Sequence, residues 1–261
     1  MRVWVFLAAA AAFGKTYPVD GIVLACDPAA RTMVVSHRPI AKYMPAMVMP
    51  FRVEQPGELA TLYPGARVQF ELVIGNGHSV ARNVRKAQGP DAVIAAPKER
   101  LRVGDRLPPF RLTDQAGAAF DLSDLRGKVT AIDFIYTRCP LPDVCPRLSA
   151  NFATLQRRFR GGELRLVSVT VDPDYDTPGV LADYARRWGA DAAVWRFLTG
   201  DIAPLAAAVG EVYWTDEGSI GHNSTTTILD RQGRIAATVE GSNYRIDQLE
   251  HLIAHELEKP Q

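Results

Sequence analysis

The sequence predicts two domains, a small all-β barrel of the OB type followed by an α/β domain. Three observations support this prediction. The 261 residues are enough for one large domain or two small ones. The first third of the chain contains only short β-like runs, whereas the remainder alternates apolar runs with amphipathic helical patterns. Between these regions, residues 89–100 are polar and broken by prolines, which is typical of an interdomain linker.

Residues 1–14 have the composition of a signal peptide. Arg2 is followed by an apolar run and a tract of alanines, with small residues where a signal peptidase cuts. The run is shorter than a bilayer span, so we expect export to the periplasm or another extracytoplasmic compartment and no membrane span in the mature chain. A weak lipobox resemblance at residues 23–26 is an alternative. Lys15 and Asp20 interrupt the apolar run before it, which favours a cysteine at a strand end.

Residues 15–88 form the predicted β-barrel domain. Runs of β-branched and apolar residues, separated by turn residues, predict strands at residues 21–26, 32–36, 47–53, 67–74 and 79–85. The pair Asp27-Pro28 and the triplet Gly75-Asn76-Gly77 supply turns between neighbouring runs. Five short strands in a segment of this length are typical of a closed OB-like barrel.

Residues 101–261 form the predicted α/β domain. Apolar runs predict strands at residues 129–136, 164–171, 225–229 and 234–239, and amphipathic patterns predict helices at residues 147–159, 179–188 and 246–257. A central sheet with helices on both faces, ending in a hairpin and a helix, is the thioredoxin-like order of elements.

The charge balance limits the classes of partner. Lys and Arg number 30 and Asp and Glu number 29, which gives a formal net charge of +1. A protein that binds nucleic acid needs basic groups to neutralise phosphates, and this chain has no such excess. We therefore expect no nucleic-acid partner.

Two cysteines lie close together between a predicted strand and the predicted helix that follows it. Cys139 follows the predicted strand, and Cys145 with Pro146 opens the next helix. A helix N-terminus stabilises a thiolate, which is both a nucleophile and a metal ligand. The alternative is an ordinary disulfide closing a small loop in an exported protein.

Residues 101–258 resemble the Sco/SenC family, thioredoxin-like proteins that carry copper to the dinuclear copper centre of cytochrome c oxidase. The resemblance rests on GDRLPPFRLTD at 104–114, GKV at 127–129, FIYTRCP at 134–140, VSVTVDPDYDTP at 167–178, GHNS at 221–224 and TILD at 227–230. It implies that Cys139 and Cys145 are metal-binding cysteines and that His222 is the histidine ligand. Two thiolates and an imidazole suit Cu(I), and such a set also accommodates Cu(II).

Two features of the sequence qualify this resemblance. The family's cysteines are separated by three residues, whereas five residues separate Cys139 from Cys145. Thioredoxin-type exchange enzymes have a cis-proline before the strand that faces the cysteines, yet no proline occurs between Pro204 and Pro260. His222 precedes that strand instead, which favours copper handling over general disulfide exchange.

The methionines cluster in the N-terminal region. Met47 and Met49 are two apart on a predicted strand and therefore share one face, Met44 lies at its entry, and His37 ends the previous strand. Filling of the barrel core is the alternative role for such methionines. Residues 19–87, which contain these side chains, resemble periplasmic copper-binding domains of the CusF type. This resemblance implies that His37, Met47 and Met49 bind Cu(I), whereas Met44 either binds or only shields the ion.

Two further groups have metal-ligand spacing. Asp172, Asp174 and Asp176 follow a strand and could bind a hard cation, but a solvated loop with an aspartate capping the next helix is favoured. His251 and His255 are four residues apart on a helix, and a solvated polar face is favoured there.

These patterns together predict an exported copper chaperone that captures Cu(I) and delivers it to a recipient protein, such as a cytochrome c oxidase subunit. One alternative is an enzyme, a thiol-disulfide oxidoreductase that reduces the recipient's cysteines with Cys139 as nucleophile and Cys145 as its partner. A second alternative is passive copper sequestration.

Overall fold

The structure, a computed structural model, describes residues 15–75, 77–95, 100–160, 163–216 and 219–259. The predicted signal peptide at residues 1–14, the predicted turn residue Asn76 and residues 96–99 of the predicted linker lie outside the described residues. The chain divides into two compact units, Met1–Val93 and Ile94–Gln261. Each unit is described by itself.

The N-terminal unit is all-β. Its strands are β1 (Lys15–Asp27), β2 (Thr32–His37), β3 (Met47–Arg52), β4 (Arg67–Gly75) and β5 (His78–Lys86). They form one sheet in the order β3-β2-β1-β4-β5, and every neighbouring pair is antiparallel. Beyond β3, Val53 forms a single parallel bridge with Ala81 of β5. The five predicted strands are confirmed, and closure of the sheet into an OB-like barrel stays a prediction.

The core of the N-terminal unit follows from the two-residue period of its strands. Along β2, Met33 and Val35 are fully buried, and the residues that alternate with them are only partly buried. Phe51 of β3 meets Phe70 of β4 edge to face, with ring centroids 4.8 Å apart. His37 continues the buried face of β2 to the end of the strand.

The remaining elements of the described residues are ten strands, four α-helices and two short 3-10 helices, Pro56–Thr61 in the N-terminal unit and Leu122–Leu125 in the C-terminal unit. The strands are β6 (Val93–Ala95), β7 (Arg111–Asp114), β8 (Ala119–Asp121), β9 (Val129–Ile135), β10 (Leu164–Thr170), β11 (Trp195–Thr199), β12 (Tyr213–Asp216), β13 (Ser219–His222), β14 (Thr226–Leu229) and β15 (Ile235–Val239). The helices are α1 (Cys145–Arg158), α2 (Pro178–Trp188), α3 (Ala203–Val209) and α4 (Ile246–Glu258).

Seven strands form the central sheet of the C-terminal unit, in the order β15-β14-β9-β10-β11-β7-β8. The middle strands β9, β10 and β11 are parallel, and the flanking pairs are antiparallel. All seven residues of β9 are buried, as expected for a parallel strand covered on both faces. The α/β prediction is therefore confirmed. A second sheet of this part of the chain has the order β13-β12-β6.

Several short strands of the structure are not predicted from the sequence. Strands β7, β8, β12 and β13 contain only three or four residues, too few to show a two-residue period. Strand β6 lies within the segment predicted to be a linker. None of the helices in the described part of the chain combines the length and the apolar character that crossing a membrane requires.

Candidate metal centre and dithiol

Two cysteines lie at the junction between β9 and α1. Cys139 is in the loop after β9, and Cys145 is the first residue of α1. Pro146 follows in the first turn, where its missing N–H costs no hydrogen bond and its fixed φ suits the helix. Cys145 is fully buried, Cys139 is partly buried, and both thiols are free. The junction therefore presents one sulfur to solvent and holds the other inside.

A hydrogen bond between the two thiols shifts their pKa values in opposite directions. This hydrogen bond from Cys145 lowers the pKa of Cys139 to about 5. The same hydrogen bond, together with burial, raises the pKa of Cys145 far above its usual range. At neutral pH Cys139 is therefore the thiolate, the form that attacks disulfides and binds soft metals, and Cys145 retains its proton.

We expect iodoacetamide to alkylate the reduced protein first at Cys139, at a rate that rises around pH 5 and levels off by pH 7. The thiolate is the reactive form, so the midpoint of the rate profile reports the pKa. In the variant Cys145→Ala the hydrogen bond is lost, and the midpoint should move toward the ordinary value of about 8.5. Cys26, whose pKa is raised by burial, serves as an internal reference. Mass spectrometry locates the adducts, and a wild-type midpoint near 8.5 would contradict the assignment.

His222 reaches the buried sulfur from the end of β13. Its Nε2 lies 3.7 Å from Sγ of Cys145, and its ring meets Tyr136 edge to face. The other ring nitrogen, Nδ1, lies 2.8 Å from Oε1 of Glu211, a carboxylate with no exposed surface. A carboxylate can only accept a hydrogen bond, so the proton is assigned to Nδ1 and Nε2 keeps a lone pair beside the sulfur. A carboxylate that fixes the ring in this way is typical of metal-binding histidines.

Backbone hydrogen bonds fix the position of the supporting carboxylate. The N–H of Thr225 donates to Oε2 of Glu211 at 2.7 Å, so both carboxylate oxygens are occupied. The N–H of Val212 donates to Oδ1 of Asn223 at 2.9 Å, and the N–H of Asn223 donates to the Val212 carbonyl oxygen at 3.0 Å. The residues that directly follow Glu211 and His222 are thus tied together.

Steric crowding explains why a glycine, Gly221, precedes His222. Gly221 pairs with Trp214 across β12 and β13, and the indole ring lies directly over it. A Cβ at Gly221 would come within 2.4 Å of Cε2 of Trp214. Only glycine leaves room for this buried tryptophan, which explains the Gly-His pair in the sequence.

The acidic loop after β10 anchors the segment that leads to Cys139. Asp176 is fully buried and accepts a hydrogen bond from the N–H of Thr137 at 3.0 Å. It also accepts hydrogen bonds from the hydroxyls of Thr137 and Thr170. Asp172 accepts a hydrogen bond from Nε of Arg138 at 2.6 Å. The two carboxylates therefore hold the two residues immediately before Cys139.

This arrangement corrects the expectation of a solvated acidic loop. Asp172 and Asp176 turn inward because they satisfy polar groups of the segment after β9, and only Asp174 of the three is exposed. Nor does an aspartate cap the next helix. The side chain of Thr177 caps α2 by accepting a hydrogen bond from the N–H of Val180 at 3.4 Å.

The second candidate centre lies on β2 and β3 of the N-terminal unit. His37 pairs with Met47, and Val35 pairs with Met49. Residues directly opposite each other in an antiparallel pair project to the same face, so the imidazole and the two thioethers share one face. That face is buried at Val35 and Phe51 and half-buried at the two methionines. The donor atoms therefore lie at the rim of the core.

One nitrogen of His37 is unused. Nδ1 lies 2.8 Å from the carbonyl oxygen of Arg38, which makes it the donor. Nε2 is buried and has no hydrogen-bond partner among the described residues. Leaving such an atom unsatisfied costs about 1–3 kcal/mol, so a ligand at Nε2 would relieve a penalty. Met44, which forms a bridge with Ile40, is partly buried against the same core.

The structure brings the predicted site residues into two groups. Cys139 and His222 each meet Cys145 in the C-terminal unit, and His37, Met47 and Met49 share a face in the N-terminal unit, with Met44 packed on the core there. Among the described residues, no three or more His, Cys, Asp or Glu side chains are already arranged as a complete metal-binding group. His251 and His255 are both exposed on α4, as the sequence analysis predicts.

Sequence analysis misses two buried carboxyl groups of this region, Glu211 and Asp133, and it places a third, Asp176, in a solvated loop. Glu211 holds His222, and Asp176 holds Thr137. Asp133, in the middle of β9, is fully buried, and neither of its carboxyl oxygens has a hydrogen-bond partner among the described residues. Burial raises the pKa of Asp133 to about 8; the neighbouring Ser168 hydroxyl opposes this rise, and the charge of Glu211 adds to it. An acidic residue interrupting an apolar strand is the signal that could have identified Asp133.

Comparisons with known proteins assign relatives to both parts of the chain. Residues 99–258 match the protein-family model described as SCO1/SenC, and residues 16–86 match the model described as copper binding periplasmic protein CusF. A SCO1 protein homolog of Bacillus subtilis (strain 168) is 34% identical over 94 residues, which are 35% of this chain and 48% of that protein. A SCO2-like protein of Rickettsia prowazekii (strain Madrid E) is 28% identical over 147 residues, which are 52% of this chain and 69% of that protein. The chain thus spans about half the length of the Bacillus subtilis relative.

A solved structure supports the fold of the C-terminal part. The crystal structure of a SCO1/SenC family lipoprotein from Bacillus anthracis str. Ames is similar with a TM-score of 0.54 and 29% sequence identity. The similarity covers 62% of this chain and 100% of that chain. The thioredoxin-like fold predicted for the C-terminal part is therefore confirmed.

Proposed function

Because the chain belongs to the SCO1/SenC family and carries a CusF-like domain at its N-terminus, we propose that it is an exported copper chaperone. It captures Cu(I) and delivers it to a recipient protein, for which a cytochrome c oxidase subunit with a dinuclear copper centre is the candidate. The description of the N-terminal family model, a copper binding periplasmic protein, supports both copper as the cargo and an extracytoplasmic location.

The observation that carries this proposal is the contact between His222 and the dithiol. Nε2 of His222 lies 3.7 Å from Sγ of Cys145, and its lone pair is available because Glu211 holds Nδ1. Cys139 supplies a second sulfur, which is a thiolate at neutral pH. Two sulfurs and an imidazole suit Cu(I), and the same set accommodates Cu(II). We propose Cys139, Cys145 and His222 as the copper ligands of the C-terminal unit.

The N-terminal unit supplies the capture site. The buried and unpartnered Nε2 of His37 is a ready donor, and Met47 and Met49 add thioethers on the same face. Thioethers prefer Cu(I) and cannot form disulfides in an oxidising compartment. We propose these three residues as ligands, with Met44 either joining them or shielding the ion.

The two sites differ in charge, which gives copper a direction of transfer. The Met/His set is neutral, whereas two thiolates bring negative charge to the ion and bind it more tightly at neutral pH. Copper should therefore move from the methionines to the reduced dithiol, and stay on the methionines once the cysteines form a disulfide. In this proposal residues 1–14 are the signal peptide, 15–88 the capturing β-barrel, 89–100 the linker and 101–261 the delivery domain.

We expect the reduced protein to bind two Cu(I) ions, one per unit, because the two donor sets are separate. Competition with a chromophoric Cu(I) chelator under anaerobic conditions gives the stoichiometry. Replacing both Met47 and Met49 by leucine should lower it from two to one, since leucine fills the same space without a sulfur donor. Met33→Leu is the matched control, because Met33 is fully buried in the core of the same unit. A reduced protein that binds no copper contradicts the function, and a stoichiometry unchanged by the double substitution removes the N-terminal site.

A second candidate function, reduction of the recipient's disulfide, is favoured by the acidity of the dithiol. A thiolate at Cys139 beside a protonated, buried Cys145 is the arrangement of an attacking and a resolving cysteine. Turnover separates the two functions. An oxidoreductase reduces many equivalents of a disulfide peptide when supplied with a reductant, whereas a chaperone transfers its copper once per loading. Passive sequestration predicts neither turnover nor transfer to a thiol-containing acceptor.

A further inference from the structure

We infer that the surface beside Cys139 is a docking groove for an acidic segment of the recipient protein, one that carries a carboxylate and a large apolar side chain close to its own cysteine. This inference rests on the proposed function and names the partner chemistry of the same site. Two adjoining cavities, the arginines that line them and their position next to the reactive sulfur support it.

The first cavity, of about 700 Å³, is basic. Its charged lining consists of Arg138, Arg186, Arg187 and Asp183. Asp183 pairs with Arg186, and the buried Asp172 accepts a hydrogen bond from Arg138. Three guanidinium groups thus face one exposed carboxylate. Guanidinium groups bind carboxylates in a planar, bidentate fashion, so the cavity favours an acidic occupant.

Arg187 is the residue that joins the two cavities. It lines the first cavity and also the second, which has a volume of about 250 Å³ and is bordered by Cys139. Its guanidinium lies 5.2 Å from the ring centroid of Tyr184, and among the described residues it has no carboxylate partner. Arg187 therefore presents a charge that an incoming carboxylate can neutralise.

The second cavity is mainly apolar. Tyr136, Tyr184, Trp188 and Pro146 line it together with Cys139 and Arg187. Large apolar surfaces beside the attacking sulfur suit an aromatic or aliphatic side chain of a partner. Two exposed hydrophobic residues, Leu141 and Tyr175, flank the same region at 53% and 48% exposure. An acidic peptide with one large apolar residue matches both cavities at once.

Docking of this kind orients the partner's sulfur for exchange with Cys139. In a thiol reaction, the Cys139 thiolate attacks one sulfur of a partner disulfide, and the other partner sulfur leaves as a thiolate. Cys145 then gives its proton to the partner thiolate that has just left and attacks Cys139, which forms the Cys139–Cys145 disulfide and releases the partner's other sulfur as a thiolate. The partner gains the two electrons that the dithiol loses. In copper transfer the same docking brings partner thiolates to the ion.

Peptides carrying an activated cysteine test the groove in the full chain. Each peptide bears one cysteine as a mixed disulfide with thionitrobenzoate, and attack by Cys139 releases the coloured thiolate. The acidic peptide has a tryptophan and two glutamates beside the cysteine, and the basic peptide has lysines in place of the glutamates. We expect the acidic peptide to react about tenfold faster at low salt, and the preference to fall as salt screens the charges.

Charge reversal at the groove separates docking from intrinsic reactivity. Arg187→Glu should abolish the acidic preference, Arg187→Lys should retain most of it, and Arg111→Glu, an exposed arginine on β7 that does not line the cavities, should leave it unchanged. Replacing the tryptophan of the acidic peptide by serine should slow its reaction several-fold. Rates with the neutral reagent dithiodipyridine normalise each variant for thiol reactivity.

The outcomes distinguish this inference from the proposed function. No acidic preference in the wild type, or a preference that survives Arg187→Glu, overturns the groove. The groove is also overturned if Arg187→Glu slows the reaction of the acidic peptide and that of a small dianionic disulfide equally, and the tryptophan has no effect. In that case the site attracts any anion. The Cu(I) stoichiometry of the same proteins is read separately. Two bound ions without peptide preference reject only the groove, and peptide preference without copper rejects only the chaperone.

Discussion

Replacing His222 by alanine is expected to weaken Cu(I) binding at the dithiol by about 100-fold or more, while the two cysteines remain able to form a disulfide. Substitution of an outer partner of a metal ligand typically costs 10–100-fold in affinity, and loss of the ligand itself should cost at least as much. Both sulfurs remain in place, so thiol oxidation does not depend on the imidazole. The variant thus separates a metal ligand from a residue that only supports the fold.

The measurement is chelator competition in a background that lacks the N-terminal site. Combining His222→Ala with the Met47→Leu/Met49→Leu pair leaves the dithiol as the one proposed copper site, so the affinity belongs to it alone. His251→Ala, which removes an exposed histidine from α4, is the matched control and should change nothing. Thiol titration after mild oxidation reports the disulfide.

Substitution of the supporting carboxylate gives a graded test of the same site. Glu211→Gln keeps an oxygen acceptor for Nδ1 of His222 but removes the buried charge, and we expect copper affinity to fall by about tenfold. The effect should vanish when His222 is already alanine, because the carboxylate acts through the ring. Full copper affinity in His222→Ala would show that the histidine is structural and that the proposed ligand set is wrong.

Sequence reasoning located the dithiol well because its signals are local. A buried apolar strand, two cysteines and a proline at the first helical turn lie within 18 residues, and β9 and α1 form where these patterns predict. The same holds for the methionine face, since residues two apart on a strand share a side. The register that sets His37 opposite Met47 depends on how β2 and β3 pair, which composition alone does not determine.

The supporting contacts are not predicted from the sequence because each carboxylate is distant along the chain from the group it holds. Asp176 is 39 residues from Thr137, and Glu211 is 11 residues from His222. Each contact depends on the path of a loop, and an isolated acidic residue in a loop is most often solvated. Only the three-dimensional arrangement shows that these carboxylates face inward.

Asp133 should make the stability of the C-terminal unit fall as the pH rises. Its carboxyl group is fully buried in β9 without a hydrogen-bond partner among the described residues, and burial raises its pKa from 3.8 to about 8. Between these two values the unfolded chain carries an ionised carboxylate, whereas the folded chain carries a neutral acid. Unfolding therefore releases a proton in this window, and rising pH favours the unfolded state.

We expect the free energy of unfolding of the wild-type protein to drop by roughly 4 kcal/mol more than that of Asp133→Asn between pH 5 and pH 8. The amide has the same shape and does not ionise, so the variant lacks this proton release. It should lose some stability at pH 5, because a buried amide also needs partners, and gain relative to the wild type at pH 8.

Urea unfolding followed by tryptophan fluorescence suits the measurement, since Trp188, Trp195 and Trp214 all lie in the C-terminal unit. Asp174→Asn makes the same chemical change at an exposed carboxylate and should leave the slope unaltered. Parallel pH profiles for the wild type and Asp133→Asn would mean that Asp133 is ionised in the folded protein, and that the polar groups around it solvate its charge.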